Sequence, residues 1–253
     1  MTGETRRGMM GLSTQQRMRI MYNKRKLKPP FFEIGPKQYL YGDAVLELAL
    51  IAEEASIKHD VQVIFTAPFP DIRRVAEATE NLIVFAPSMD DIPVGRGLAD
   101  ILPESVRAAG ADGVMLNHIE KQLTYLKLKN TVERANGLQM LTLVIADSVV
   151  EAKAAALLAP DVITAEPAEL IGTGKASGLE YVAVSKEAIH SVNPGIYVLI
   201  GAGISSGQDV YNVIKAGADA SGSSSTVACA KDQRAIVNEM LQAARQAWDE
   251  RSA

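Results

Sequence analysis

After residue 30 the hydrophobic positions of this chain follow two alternating patterns. Short runs are apolar at nearly every position, which is typical of strands covered on both faces of a parallel sheet. Between them, apolar residues recur near i, i+3 and i+4, as Ala44, Leu48 and Ile51 do, and this spacing indicates amphipathic helices. The pattern predicts strands at 31–35, 61–66, 82–86, 113–117, 140–146, 161–166, 197–201 and 218–222, and helices at 43–58, 70–79, 103–109, 121–136, 148–158, 179–192, 206–216 and 232–249.

Eight strands, each followed by a helix, in about 220 residues match a closed (β/α)₈ barrel in number and length. The competing fold is an open doubly wound sheet, which carries a G-x-G-x-x-G loop in its first strand–helix unit. Here a Gly-rich turn runs from Gly201 through Gly203 to Gly207, but its last spacing is one residue too long and it follows the seventh strand. We therefore predict an α/β protein with a single (β/α)₈ barrel as its catalytic domain at 30–253.

The composition of the 253 residues suits one domain with a large core, because 47% of them are hydrophobic. No apolar run approaches the roughly 18 residues of a membrane span, and the N-terminus lacks the apolar region of a secretory signal. The single cysteine, Cys229, cannot form an internal disulfide and lacks partners for a metal cluster. We expect a cytoplasmic protein with no metal site and no membrane partner.

The net charge of −4 is unevenly distributed along the chain. Residues 1–28 hold eight lysines and arginines against one acid, Glu4, whereas the remainder holds 18 basic and 29 acidic residues. A basic arm on an acidic body can bind nucleic acid. Because Tyr22 is the only aromatic residue in this arm, we interpret 1–29 as a disordered or partly tag-derived extension and do not expect nucleic acid as a partner.

The C-terminal ends of barrel strands form the active site in this kind of fold, and chemically useful residues stand there. Lys37 follows the first predicted strand, His118 and Glu120 follow the fourth, and Glu166 ends the sixth, before Pro167. A carboxylate, an imidazole and an ammonium group that converge from separate strands suit general acid–base catalysis. Each also has a structural interpretation: Lys37 as a solvated charge, His118 as a buried ring, and Glu120 as the ion-pair partner of Lys37.

Three loops of the sequence are suited to binding an anion. Gly172 and Gly174 lie in a loop after the sixth strand, which we interpret as a lid whose backbone N–H groups approach a ligand. The loops after strands seven and eight of a barrel commonly bind phosphate. Ser205 has the alternative role of capping the next helix. The candidates in these last two loops are Gly203, Ser205, Ser225 and Thr226.

Four motifs occur in order along the chain at separations typical of a barrel. They are L-N-H-x-E at 116–120, the long A-E-P-A-E-L-I-G-T-G at 165–174, N-P at 193–194 and G-A-G-I-S-S-G at 201–207. On these motifs the chain resembles the triosephosphate isomerase family, especially its short archaeal-type branch. The likeness extends from Phe31 to the C-terminal helix.

The resemblance implies a TIM barrel and an aldose–ketose isomerase that acts on a small phosphorylated sugar and needs no cofactor. By the same resemblance Glu166 is the general base, His118 the electrophile and Lys37 the cation near the substrate oxygens. Proton removal next to a carbonyl would then give an enediolate, and triose phosphate is the expected substrate.

The family also implies a homodimer or homotetramer, and the loop after the third predicted strand gives a physical reason to expect one. Residues 87–102 contain apolar side chains that would form an exposed patch on a monomer. These residues are Met89, Ile92, Val94, Leu98 and Ile101.

Several positions depart from the family's pattern. Gly35 stands two residues before Lys37 where the family usually has Asn, Ile119 replaces a usual Ser, and Ser225 and Thr226 replace glycine in the phosphate loop. Gly35 is expected to open volume beside the substrate, which makes an isomerase or epimerase of a C4–C5 sugar phosphate, such as a tetrulose phosphate, an alternative. A catalytically silent TIM-like binding protein is an alternative of another class.

Overall fold

The computed structural model describes residues 24–166 and 179–252, and these form a closed barrel of eight parallel strands. Each strand pairs with the next one along the chain, and the last strand, β8 (Ala220–Ser223), pairs with the first, β1 (Phe31–Ile34). The single (β/α)₈ barrel predicted from the alternating pattern is confirmed. The remaining strands are β2 Gln62–Thr66, β3 Ile83–Ala86, β4 Gly113–Leu116, β5 Leu141–Ala146, β6 Val162–Ala165 and β7 Tyr197–Ile200.

Every strand predicted from the sequence is present, within a residue or two at each end. The helices also follow the prediction to within three residues at each end, with two exceptions. Residues 119–121 form a 3₁₀ turn, so the helix predicted from 121 begins at Tyr125, and Ser225–Ala228 forms a short helix too brief for any periodicity to reveal. The helices are α1 Asp43–His59, α2 Ile72–Ala78, α3 Pro103–Ala108, α4 Tyr125–Gly137, α5 Val149–Ala156, α6 Leu179–His190, α7 Gly207–Lys215, α8 Ser225–Ala228 and α9 Gln233–Ser252.

The barrel interior changes from apolar to polar along the strands. Alternate residues of a strand face the same side, so on β1 Phe31 is followed by Glu33, and on β6 Val162 is followed by Thr164 and then Glu166. The C-terminal end is therefore the polar end of the barrel interior. The apolar layer below it contains Phe31, Ile64, Ile83, Phe85, Leu141, Leu143, Ile145, Val162, Leu199 and Ala220.

The opposite faces of the strands pack against the ring of helices and form the larger core. Phe32 and Ile34 of β1 are fully buried in this layer together with Val45 and Leu48 of α1. Because both faces of the sheet are covered, the strands read as the continuous apolar runs seen in the sequence. Within the described ranges, no helix is long and apolar enough to cross a membrane.

The described part of the predicted extension, residues 24–29, packs on the barrel. Leu27 is 8% exposed and joins the interior apolar layer, and its carbonyl accepts a hydrogen bond from the Tyr197 hydroxyl. Lys24 forms an ion pair with Asp161 at 2.8 Å. This segment precedes β1, so it covers the N-terminal end of the barrel, opposite the polar end. The interpretation of the rest of the extension concerns residues outside the described ranges.

Candidate active site

A cavity of about 690 Å³ opens at the C-terminal ends of the strands. The sequence-predicted Lys37, His118, Glu120 and Glu166 all line it, although they come from three separate strand ends. The barrel topology brings them together because all its strands are parallel and end at the same rim. The predicted convergence of a carboxylate, an imidazole and an ammonium group is thus present in the structure.

Glu166 stands at the end of β6, where its backbone N–H donates to the Ala146 carbonyl of β5 at 2.9 Å. Its carboxyl group lies so close to Gly201 that a Cβ there would be 2.5 Å from Oε1. Burial raises the pKa of Glu166 to about 7, although the positive charge of Lys37 acts in the opposite direction. A carboxylate with a pKa near neutrality is matched to the work of a general base.

His118 is held in one tautomer by the backbone that follows it. The N–H of Glu120 donates to Nδ1 at 3.1 Å, so the proton of the neutral ring is on Nε2. Burial and the charge of Lys37 lower the pKa of His118, while Glu120 acts in the opposite direction. The ring therefore presents a neutral Nε2–H donor to the cavity that it lines.

Asn117 positions this histidine, and sequence reasoning did not select it. Its backbone adopts φ 62°, in the left-handed region that Asn tolerates better than most residues. Its side-chain amide donates to the Ile145 carbonyl and to Glu151, and its side-chain oxygen accepts from the Leu123 N–H. These bonds hold the turn between β4 and the 3₁₀ helix. The sequence signal was an Asn, a left-handed former, at the strand end.

Lys37 reaches the cavity from the end of β1 and forms an ion pair with Glu120. The Nζ–Oε1 distance is 3.0 Å, and the side chains are 27% and 66% exposed. Exposed pairs of this kind add little to stability, so the value of the contact lies in where it holds the ammonium group. The sequence-level suggestion that Glu120 pairs with Lys37 agrees with this geometry.

We expect Lys37→Met to move the acid limb of the pH profile of kcat/KM to higher pH. The Lys37 charge lowers the pKa of Glu166, so its removal raises that pKa, and the carboxylate form is then lost at higher pH. The profile is measured for wild type, Lys37→Met and Lys153→Met, which removes an exposed lysine from α5. An acid limb that stays in place in Lys37→Met would contradict this coupling.

The space beside Gly35 is not empty, which corrects the expectation that this glycine opens volume for a larger substrate. A Cβ at Gly35 would lie 2.8 Å from Oε1 of Glu33. The carboxyl group of Glu33 thus occupies space that a side chain at position 35 would need. Glu33 stands within an apolar run and was not among the predicted site residues. A charged residue at an inward position of a strand is the signal that could have revealed it.

The predicted phosphate residues differ in what they offer to the cavity. Gly203, Ser225 and Thr226 line it, but the Thr226 hydroxyl donates to the Ile204 carbonyl at 3.1 Å. Ser205 lies outside the lining, and both its N–H and its hydroxyl donate to Asp209. Of the predicted serines and threonine, Ser225 therefore has the hydroxyl best placed to donate to a ligand. Gly172 and Gly174, with the proposed lid at 167–177, lie outside the described residues.

Comparison with known proteins agrees with this geometry. A family model described as Triosephosphate isomerase matches residues 41–145 and 129–240. The triosephosphate isomerase of Saccharolobus solfataricus is 33% identical over 225 residues, covering 87% of this chain and 99% of that protein. That of Methanothermus fervidus is 35% identical over 203 residues (79% and 91%), and that of Sulfolobus acidocaldarius is 34% identical over 230 residues (89% and 99%).

The barrel fold, the cavity at its polar end and these relatives define the class of the protein, an isomerase. The chain belongs to the triosephosphate isomerase family, in agreement with the resemblance drawn from its motifs. This membership sets aside the alternative of a catalytically silent binding protein.

Proposed function

We propose that the enzyme interconverts glyceraldehyde 3-phosphate and dihydroxyacetone phosphate through an enediolate. The observation that carries this proposal is the meeting of Glu166 and the neutral Nε2–H of His118 at one cavity. The names of the relatives, all triosephosphate isomerases, support the same reaction.

Glu166 removes the proton from the carbon next to the substrate carbonyl and returns it to the former carbonyl carbon. The hydroxyl proton of the intermediate passes from one substrate oxygen to the other through Nε2 of His118. Its pKa near 7 lets the carboxylate be populated at neutral pH and still accept a proton in the transition state. Gly201 leaves room for the carboxyl group beside the cavity, because a Cβ there would collide with it.

His118 and Lys37 stabilise the oxygen on which negative charge develops. The Nε2–H of His118 donates a hydrogen bond to that oxygen, and the Lys37 ammonium supplies positive charge nearby. Preorganised donors of this kind are worth more in a cavity with little water than in solution. Because Nδ1 is already bonded by the Glu120 N–H, the ring needs no rearrangement to act.

The phosphate group of the substrate binds between the loops that follow β7 and β8. Gly203 brings the backbone close, with φ 73°, and Ser225 contributes its hydroxyl at the start of α8. The two loops are tied together, because the hydroxyls of Ser223 and Thr226 both donate to the Ile204 carbonyl. This end of the cavity therefore has a defined shape before a ligand binds.

A coupled isomerase assay over C3 to C5 ketose and aldose phosphates tests the proposal. The expected result is a higher kcat/KM for the triose phosphates than for any tetrulose or pentulose phosphate. The isomerase or epimerase of a larger sugar phosphate stays a prediction, which a clear preference for a C4 or C5 substrate would support. Turnover of a larger substrate alone would overturn the triose proposal.

We further propose a homodimer or homotetramer in which the loop after β3 is buried. Val94 and Leu98 in this loop are 66% and 102% exposed, as expected of an uncovered apolar patch. The predicted patch is smaller than the sequence suggested. Met89 is 1% exposed within the core, Ile101 packs against it, and Ile92 is partly buried.

We expect Leu98→Glu to lower the mass of the assembly, because a buried charge in the contact costs more than the apolar contact gains. Light scattering at micromolar concentration measures the mass of wild type, Leu98→Glu and Ile57→Glu. Ile57 is a matched control, since it is 63% exposed on α1, away from this loop. A fully active wild-type monomer would refute the assembly.

A further inference from the structure

Glu33 is a buried carboxyl group inside the barrel that the mechanism above does not use. It lies on β1, is 8% exposed, and lines the same cavity as Glu166, His118 and Lys37. The apolar layer that contains Phe31 lies below it in the barrel. A buried carboxyl group is costly unless its surroundings compensate it, so its neighbours decide what it can do.

The two strands beside β1 hold this carboxyl group in one position. From β2, the Thr66 hydroxyl donates to Oε1 at 2.6 Å. From β8, Gly222 leaves room, because a Cβ there would lie 3.1 Å from the Glu33 Cβ and 3.3 Å from Oε2. Gly35 leaves room above it. The side chain is therefore packed and oriented before any ligand binds.

The second oxygen of this group is available to a ligand. Among the hydrogen bonds of the described residues, none goes to Oε2, while Oε1 is engaged by Thr66. Oε2 belongs to a residue that lines the cavity and lies on the side of Gly222, which lines the cavity as well. A group that binds at the floor of the cavity would meet this oxygen.

The charges around Glu33 decide its protonation state. The pKa of Glu33 is raised to about 7, chiefly by burial; the hydrogen bond from Thr66 opposes this rise, the negative charge of Glu166 adds to it, and the charge of Lys37 opposes it. Thr66 on β2 and Gly222 on β8 do not titrate, whereas His118 and Glu120 line the cavity from the end of β4. Glu33 and Glu166 thus line one cavity as two buried carboxyl groups, each with a pKa raised to about 7.

We propose that Glu33 is a substrate-contacting residue whose neutral carboxyl group donates a hydrogen bond from Oε2 to the oxygen on the reacting carbon. This rests on the proposed isomerase function and adds a second donor to that of His118. The Glu33 proton stays on Oε2 throughout, so no bond to it breaks. Glu166 transfers the carbon-bound proton, and the hydroxyl proton passes between the two substrate oxygens through Nε2 of His118. An ionised Glu33 would instead repel both the enediolate and the carboxylate of Glu166.

The active enzyme then carries one proton on the carboxyl pair, with Glu33 neutral and Glu166 ionised. As pH falls, Glu166 becomes protonated and the base is lost. As pH rises through the pKa of Glu33, the donor is lost and repulsion appears. The wild-type profile of kcat/KM is therefore expected to be bell-shaped, with Glu33 responsible for the alkaline limb.

Two substitutions at Glu33 show whether its side chain acts as a hydrogen-bond donor or only packs in the cavity. Glu33→Gln keeps the shape and an N–H donor, so we expect it to retain much of the activity and to lose the alkaline limb. Glu33→Met keeps the volume but cannot donate, so we expect kcat to fall by about 10²-fold, as for loss of one oxyanion donor. A merely structural Glu33 would leave the pH profile of Glu33→Gln unchanged.

Thr66→Val provides a matched third variant, because it removes the bond to Oε1 and keeps the side-chain shape. That bond lowers the pKa of Glu33, so its loss is expected to move the alkaline limb to higher pH. An unchanged alkaline limb in both Glu33→Gln and Thr66→Val, or near wild-type kcat in Glu33→Met, would overturn the inference. If Glu33→Met does not fold, the pH profiles of Glu33→Gln and Thr66→Val still test the inference. A wild type inactive on every C3 to C5 sugar phosphate would instead refute the proposed function.

Discussion

Replacing Glu166 by Gln is expected to lower kcat by about 10²–10⁴-fold, the range attributed to general acid–base catalysis. The amide has nearly the shape of the carboxyl group, but it cannot accept a proton from carbon. The fold should be unaffected, since the side chain lies at the end of β6 and lines the cavity. Steady-state kinetics on triose phosphates measure the loss.

A thermal melt of the same Glu166→Gln preparation serves as the control for folding. Removal of a buried carboxyl group with a raised pKa removes a source of destabilisation, so the midpoint should not fall. Turnover close to that of wild type, in a folded variant, would remove Glu166 as the base and with it the proposed mechanism.

Gly201→Ala is expected to lower kcat by about 10²-fold while leaving the stability nearly unchanged. The new Cβ would lie 2.5 Å from Oε1 of Glu166, so the carboxyl group must move away. A displacement of about 1 Å in a catalytic group can cost this much in rate. The atom that must move is at the end of a flexible side chain, and Gly201 has no positive φ. The stability of the fold should therefore change little.

A double-mutant cycle shows whether the loss in Gly201→Ala acts through the base. In a Glu166→Gln background the same alanine should cause little further loss, because the displaced group no longer transfers a proton. Gly195→Ala is the matched control, in the turn before the same strand, where the added Cβ would meet only the Asn193 side chain. Additive losses in the cycle would mean that Gly201 acts in some other way.

The hydrophobic pattern predicted the strands well because a closed parallel barrel covers both faces of its sheet. Each strand is then a short apolar run, and the eight runs are separated by amphipathic helices. The same pattern could not reveal α8, since four residues complete hardly more than one helical turn. It also placed the start of α4 too early, because the 3₁₀ turn at 119–121 is stabilised by the His118 ring rather than by periodicity.

The convergence of Glu166, His118 and Lys37 was accessible from the sequence, because parallel strands carry their C-terminal residues to one rim. Their properties were not accessible. The neutral state of His118 depends on the Glu120 N–H, on burial and on the charge of Lys37, which approaches from another strand. The raised pKa of Glu166 likewise comes from burial within the assembled barrel.

The loops that follow β7 and β8 illustrate a further limit. Ser205 was a reasonable phosphate candidate by position, but Asp209 one helical turn later takes both of its donors. Thr226 lines the cavity, yet its hydroxyl is directed to the Ile204 carbonyl of the neighbouring loop. Hydrogen bonds of this kind depend on which acceptor lies nearest in space, and a sequence motif does not contain that information.

The order of apolar and polar residues by itself determined a single (β/α)₈ barrel and its polar end, because these follow from strand periodicity and parallel topology. The spatial relation between Gly35 and Glu33 was decided only by the tertiary structure. In the sequence they are a missing side chain and a charge within an apolar strand. In the barrel the Glu33 carboxyl group occupies the space that a side chain at 35 would need, between Thr66 and Gly222. That relation depends on contacts between separate strands, because the pairing of β2 with β1 supplies Thr66 and the closure of β8 onto β1 supplies Gly222.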